Sequence, residues 1–285
     1  MSRKLAWKLA IFCALAVSAA PSQGLPRWLE GELSLATGID YREGDYGEPT
    51  DSKLLYLPFT ASYLFDHFAL TETPNDRIEV GLTLPWLRVD GPVVPDGSGG
   101  PADPESGDRL PSDARNGLGD VQVSASYLVF PPAESPLPAL ELSGRVKLPT
   151  GSEKKGLSTG EPAYTVRVDL YKSFGSWTPF ASGGYRIVEK AAGYDLRDAG
   201  FASLGVVRRF TPRFSAGIFY DWWQSGSAGY GDAHELFPYA SFQFNERWSV
   251  SPYAVIGLSP DATRWGLGMS LRVWIPVRNA PPPLR

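Results

Sequence analysis

The sequence predicts an all-β fold, a single transmembrane antiparallel β-barrel of about twelve strands over residues 21–275, with short periplasmic turns and longer extracellular loops. Three observations predict it. Apolar and polar residues alternate with period two along segments of 11 to 14 residues. Soluble strands cluster near 5 or 6 residues, whereas a tilted strand needs about 9 to 11 to cross the hydrocarbon. The connections between these segments alternate between short turns and long polar loops, the asymmetry of an outer-membrane barrel. Beyond the first 20 residues no apolar run reaches the roughly 18 residues of a membrane helix, so a membrane crossing here is made by strands.

Residues 1–20 read as a signal peptide. Arg3, Lys4 and Lys8 precede an apolar run from Leu9 to Val17, and Ser18, Ala19 and Ala20 close it. A cut after Ala19 puts Val17 and Ala19 at the small-residue positions, while Pro21 disfavours a cut after Ala20. Phe12 stands where lipidation of Cys13 would want a small residue. Either cut removes Cys13, takes the net charge from -4 to -7, and leaves an exported chain with no disulfide to rely on.

The expected strands are 29–41, 53–66, 77–90, 118–130, 138–149, 163–173, 178–188, 200–210, 213–224, 235–245, 247–258 and 264–275. In the ninth, Phe214, Ala216, Ile218, Tyr220 and Trp222 alternate with Ser215, Gly217, Phe219, Asp221 and Trp223, and the last two strands alternate in the same way. The Gly and aromatic content of these runs is poor for helix. The joins at 174–177, 211–212 and 246 are short, and 91–117 and 150–162 are long and rich in Pro, Gly, Asp and Ser. An even count returns both termini to the periplasmic side. About nine residues separate the signal from the first strand, too few for a plug domain, and twelve strands are too few for a general diffusion pore. Pro276–Arg285 reads as a Pro-rich tail following Trp274 and Ile275.

Alternation alone suits a soluble sandwich as well as a barrel, with the apolar face reversed. Strand length and loop asymmetry favour the barrel. Trp28, Trp86, Trp177, Tyr220, Trp222, Trp248, Trp265 and Trp274 sit near strand ends, where an amphipathic ring is stable at headgroup level. The polar face carries Glu79, Asp120, Glu141, Arg145, Lys147, Arg167, Asp169, Arg186, Asp221 and Arg272, the candidate lumen-lining residues. Five acids face five bases, so they can pair rather than stand as isolated buried charges.

Composition removes several function classes. With 27 basic against 31 acidic residues and no Lys/Arg run, a nucleic-acid partner is not expected. Two His and one Cys supply no metal cluster and no CxxC pair, and no cofactor is implied. His234, beside Asp232 and Glu235, is the one histidine placed for catalysis, since His67 lies near the other rim. No motif marks partners for it, so no catalytic residue and no enzyme is expected. Gly156 and Gly160 precede no helical pattern and are not a phosphate cradle.

Gly117-Leu118-Gly119-Asp120 is followed by an amphipathic strand, by Gly144-Arg145-Val146-Lys147-Leu148-Pro149-Thr150-Gly151, by a loop with Gly156 and Gly160, and by Gly184-Tyr185-Arg186. In this order and spacing, from about Gly117 to Val273, the sequence resembles the outer-membrane proteins grouped as the MetA-pathway of phenol degradation family. The resemblance implies a bacterial outer-membrane barrel that takes up aromatic or other hydrophobic compounds. Its expected partners are outer-membrane lipid and a small hydrophobic or aromatic solute, its expected state a monomer, and its expected lid the 91–117 loop. The other reading is a non-transporting structural or surface-interaction barrel whose lumen is filled by side chains.

Overall fold

The computed structural model describes residues 30–66, 76–95, 101–102, 114–132, 135–191, 194–227 and 230–277. Its strands are β1 (Gly31–Gly44), β2 (Ser52–Phe65), β3 (Arg77–Asp90), β4 in two segments (Arg115–Leu118 and Val121–Val129), β5 (Ala139–Leu148) and β6 (Ala163–Tyr171). They continue as β7 (Trp177–Val188), β8 (Ala199–Thr211), β9 (Phe214–Trp223), β10 (Ala233–Gln243), β11 (Trp248–Gly257) and β12 (Trp265–Val277). Each is antiparallel to its neighbours, and β12 returns to β1 in a ladder from Gly31 opposite Val277 to Glu43 opposite Trp265. This twelve-stranded sheet is therefore closed. Closure leaves no edge, so the backbone amides of the strands are satisfied inside the sheet, which a lipid environment requires. No helix among the described residues is long and apolar enough to cross a membrane.

The expected signal peptide and residues 278–285 of the tail lie outside the described residues, as does His67. Pro276 and Val277 belong to β12, because Glu32 and Gly31 reach far enough to pair with them.

The alternation resolves into an apolar outside and a polar inside. Leu204, Leu267 and Val166 point outward with 65%, 58% and 53% of their surface exposed, and Ile39, Leu84, Leu142, Ile218 and Met269 are also exposed. That is the inverse of a soluble sandwich and fits a lipid-facing band. Rings ring both ends of it. Trp177, Phe210, Phe214, Phe242 and Trp248 lie near the short-turn rim, and Tyr41, packed 5.4 Å from Trp265 between ring centroids, lies near the long-loop rim. The Arg208 guanidinium covers Trp177 and Phe210 at 5.0 and 4.9 Å, an interfacial anchor in which a cation sits on aromatic faces. Trp274 departs from the girdle pattern. It pairs with Ser34 on the inner face, where the Arg272 guanidinium lies 5.8 Å from its ring.

Two local features shape the inside. Between the pairs Leu87–Gly117 and Thr83–Gln122, β4 carries one residue more than β3. This bulge, where the Gly119 amide donates to the Pro85 carbonyl at 3.0 Å, keeps both Gly117 and Gln122 on the inner face and turns Asp120 inward. A Cβ at Gly119 would lie 2.5 Å from Leu87 Cδ1, so a side chain there would have to displace Leu87. Above the seam of first and last strands, Arg264 donates to Asp51 at 2.7 Å and to Asp45 at 2.9 Å, tying two loops together outside the membrane span. Its guanidinium holds the Asp51 carboxyl below the usual carboxylate range. The contribution of this clasp is thus present above the pKa of a free carboxyl and is lost only as the pH falls through the lowered value.

Leu204 stands at the middle of β8 on the lipid-facing side. Leu204→Arg is expected to cost about 2–4 kcal/mol of folding stability in vesicles, the value for an arginine at the bilayer midplane. Denaturant titration of the reconstituted barrel measures it, and an unchanged midpoint would mean that this face does not meet lipid.

Candidate functional site

At the long-loop end of the lumen the β5–β6 connection, residues 149–162, folds inward. Leu157 in that loop is 1% exposed and packs on Leu87 and Val89 of β3, with Leu54 and Tyr56 of β2 alongside. Burying a leucine stabilises by about 1.5–3 kcal/mol. The polar half of the closure converges on Asp120. One carboxylate oxygen accepts the Thr150 and Gly151 amides at 3.0 and 2.9 Å, and the other accepts Lys147 Nζ at 2.6 Å and the Ser158 hydroxyl at 2.8 Å. Lys147 also donates to Thr159 at 3.3 Å. The Lys147 and Asp120 side chains are only 7% and 4% exposed, so this is a buried ion pair with its remaining lone pairs filled. Thr150 ties the base of the loop to the bulge, accepting the Val121 amide at 2.9 Å.

Below this mouth the inner face divides into two unlike walls. From β7 to β10, rings lie flat along the sheet. Phe219 is 5.9 Å from Phe180 and stacks on Phe237 at 4.6 Å, while Phe201 stacks on Trp223 at 4.3 Å. They lie flat because glycines stand opposite them. A Cβ at Gly205 would fall 2.4 Å from Phe219 Cβ, and one at Gly184 would fall 2.3 Å from Phe201 Cζ. Ring-over-glycine pairing across strands lets large side chains line a barrel without crossing it.

The opposite wall, β3 to β7, carries most of the charge. A cavity of about 480 Å³ is lined by Glu79, Glu141, Arg145, Arg167, Asp169 and Phe180, among others. A smaller one of about 100 Å³ adjoins it, sharing Arg145 and Arg167 and adding Lys147, Arg186, Phe201 and Trp223. Arg167 grips Asp169 with bonds of 2.6 to 2.9 Å and reaches Ser182 at 3.0 Å. Glu141 stands opposite Asp169 in the ladder, and Glu79 opposite Ser126. Arg145, between Ser124 and Thr165, makes no hydrogen bond or ion pair among the described residues.

The strand registers put nine of the ten sequence-derived candidates on the inner face, and hydrogen bonds to Lys147 and Ser158 place the tenth, Asp120, there too, but they do not form one network. Glu79, Glu141, Arg145, Arg167 and Asp169 meet at the larger cavity, and Lys147 and Arg186 join the smaller. Asp120 serves the mouth. Asp221 accepts from Ser203 and from the Trp223 indole at 2.7 Å, and Arg272 stands apart beside Trp274.

Sequence reasoning passed over Thr150, Leu157, Ser158 and Thr159, and also a second inner cluster. There Arg42 donates to Asp40 at 3.0 Å and lies 3.8 Å from Glu235, the Tyr253 hydroxyl donates to Asp40, and Glu235 accepts the Thr263 amide at 3.0 Å. The only signal for it was the i, i+2 spacing of Asp40 and Arg42. Most of the 91–117 loop lies outside the described residues.

Alternation also separates the residues around His234. Its ring faces outward and bonds Tyr220, Glu235 faces inward, and Asp232 accepts from the Trp222 indole and the Ser225 amide at 3.0 Å each. Among the described residues these hydrogen bonds pair neither Asp232 nor Glu235 with the His234 ring.

Over residues 50–274 the sequence matches the family described as "Putative MetA-pathway of phenol degradation". No curated protein matches the chain. Among solved structures, an outer membrane channel from Pseudomonas putida F1 is similar with a TM-score of 0.64 at 15% identity, over 90% of this chain and 100% of that one. The translocator domain of the autotransporter NalP from Neisseria meningitidis gives 0.46 at 10% identity, over 94% of each chain. The toluene transporter TbuX of Ralstonia pickettii gives 0.45 at 9% identity, over 88% and 90%. The first likeness shows that the fold is that of bacterial outer-membrane barrels.

Asp120→Ala leaves a buried ammonium without its counter-charge and frees the loop donors, a loss of about 3–5 kcal/mol. The loop is expected to leave the mouth. Trypsin added to whole cells should then cut after Lys154 or Lys155 several-fold faster than in the parent; equal cleavage rates would show that Asp120 does not hold the loop.

Proposed function

The chain belongs to the MetA-pathway of phenol degradation family, and on that premise we propose that it admits a small apolar or aromatic solute across the outer membrane through its lumen. The observation that carries this reading is the cavity of about 480 Å³ at the level of Arg145, Arg167 and Asp169. Side chains filling that level would favour a structural barrel; here they leave room for a solute. The flat rings of Phe180, Phe219 and Phe237 offer apolar surface, and the polar wall keeps the rest of the lumen wet. Such contacts are weak and several, which permits both entry and exit.

Passage requires the 149–162 loop to swing out. Its attachments to Asp120 are hydrogen bonds that water can replace, and the apolar cost is essentially that of exposing Leu157, about 1.5–3 kcal/mol. A closed resting state with occasional opening follows from those magnitudes. The plugged mouth is also what a non-conducting surface barrel presents, and conductance separates the two readings.

Replacing residues 153–159 by a short Gly-Ser linker is expected to raise single-channel conductance in planar bilayers at least several-fold over the parent. A strain lacking the protein is expected to take up small aromatic compounds more slowly, with recovery on complementation. If the trimmed barrel conducts no better than the bare bilayer and uptake is unchanged, the transport reading fails.

A further inference from the structure

The smaller cavity has a composition that the overall charge of -4 conceals. Arg145, Lys147, Arg167 and Arg186 line it, and no carboxylate does. Lys147 is paired with Asp120, Arg167 is paired with Asp169, which lines the larger cavity, and Arg186 is engaged as well. Asp221, the next acid along the inner row, is engaged by Ser203 and Trp223. Arg145, whose one opposite-sign neighbour in the electrostatics is the Tyr56 phenol, makes no hydrogen bond or ion pair among the described residues, and it lines both cavities at their junction. Across from it, Phe201 and Trp223 form a stacked pair at 4.3 Å. A guanidinium with unused donors on one side and a ring platform on the other, around a space of about 100 Å³, match the two ends of an aromatic ring bearing a carboxylate.

We propose that this constriction is an anion site and that the solute of the barrel is a small aromatic acid, its carboxylate on Arg145 and its ring against Trp223. The proposal rests on the transport reading above and narrows its solute from apolar or aromatic to anionic and aromatic. Glu79 and Glu141 oppose an anion in the larger cavity, where Arg145 and Arg167 also stand. Selectivity is nevertheless set at the narrower cavity, where a solute loses most of its water and low-dielectric walls focus the field.

The test uses the full barrel and the 153–159 linker variant in planar bilayers under a tenfold KCl gradient at neutral pH, with benzoate and neutral benzyl alcohol as probes. The expected reversal potential is that of an anion-selective pore. Benzoate is expected to permeate or block at lower concentration than benzyl alcohol. Arg145→Gln, at a side chain that makes no hydrogen bond or ion pair among the described residues, is expected to lower the anion-to-cation permeability ratio about fivefold, the effect of one charge at about 4 Å in a water-like medium. Trp223→Leu is expected to weaken the benzoate effect without moving the chloride selectivity. A conducting barrel that prefers cations, or that treats benzoate and benzyl alcohol alike, overturns the anion site and leaves transport standing. Absence of any conductance in both proteins, with unchanged uptake in cells, overturns transport and the anion site together.

Discussion

A single carboxylate inside the mouth holds the inward-folded loop of this barrel. Asp120 takes four hydrogen bonds, from two loop amides, a serine and a lysine, and every one comes from β5 or from the loop that follows it. The loop would otherwise be a polar segment with no reason to leave water. Turning it inward buries backbone amides, which is tolerable only if they find acceptors. Asp120 is in reach because β4 bulges at Gly119, and the bulge in turn uses the carbonyl of Pro85 as its anchor. Sequence, backbone irregularity and closure form one chain of dependence, ending with Leu157 packed on Leu87 and Val89.

The two faces of the wall were legible from period two together with strand length, because a strand has only two faces and a charge on the lipid side is expensive. Once strand length and loop asymmetry have chosen a barrel over a sandwich, that reasoning puts Arg145, Arg167 and Asp169 inside. It stops where order depends on distant partners. Residues 150–162 look like any long polar loop, and the one hint of burial is Leu157, a lone leucine among Ser, Lys, Glu and Gly. Two family-like segments, Gly117 to Asp120 and Gly144 to Gly151, could be read only as separate motifs. Their meeting through Asp120 is a long-range contact that spacing does not encode.

The strand ends show a different limit. β1 runs to Gly44, three residues beyond its expected end, and those residues include Arg42 and Glu43. Once a strand rises past the hydrocarbon, its outer face no longer needs to be apolar, and alternation fades into what resembles a loop. Arg42 was lost for that reason, and with it the partner that makes Asp40 part of a cluster. The aromatic wall was obscured by the opposite bias. Aromatic residues in a barrel suggest the lipid interface, yet Phe219 and Trp223 share their parity with Asp221 and face inward. Ring-to-glycine pairing across strands, as between Phe201 and Gly184, is the better indicator of an inward ring.

The mouth and the constriction cannot be independent, because Lys147 belongs to both. Its ammonium is the counter-charge of Asp120 and also part of the wall of the smaller cavity. Two unit charges about 4 Å apart interact by about 1 kcal/mol even in water and by more where walls exclude it. Charge entering the cavity therefore bears on the pair that holds the loop. The same side chain that completes the closure reports on what lies beneath it, and this follows from the alternation that sets Lys147 and Arg145 two residues apart on one face of one strand.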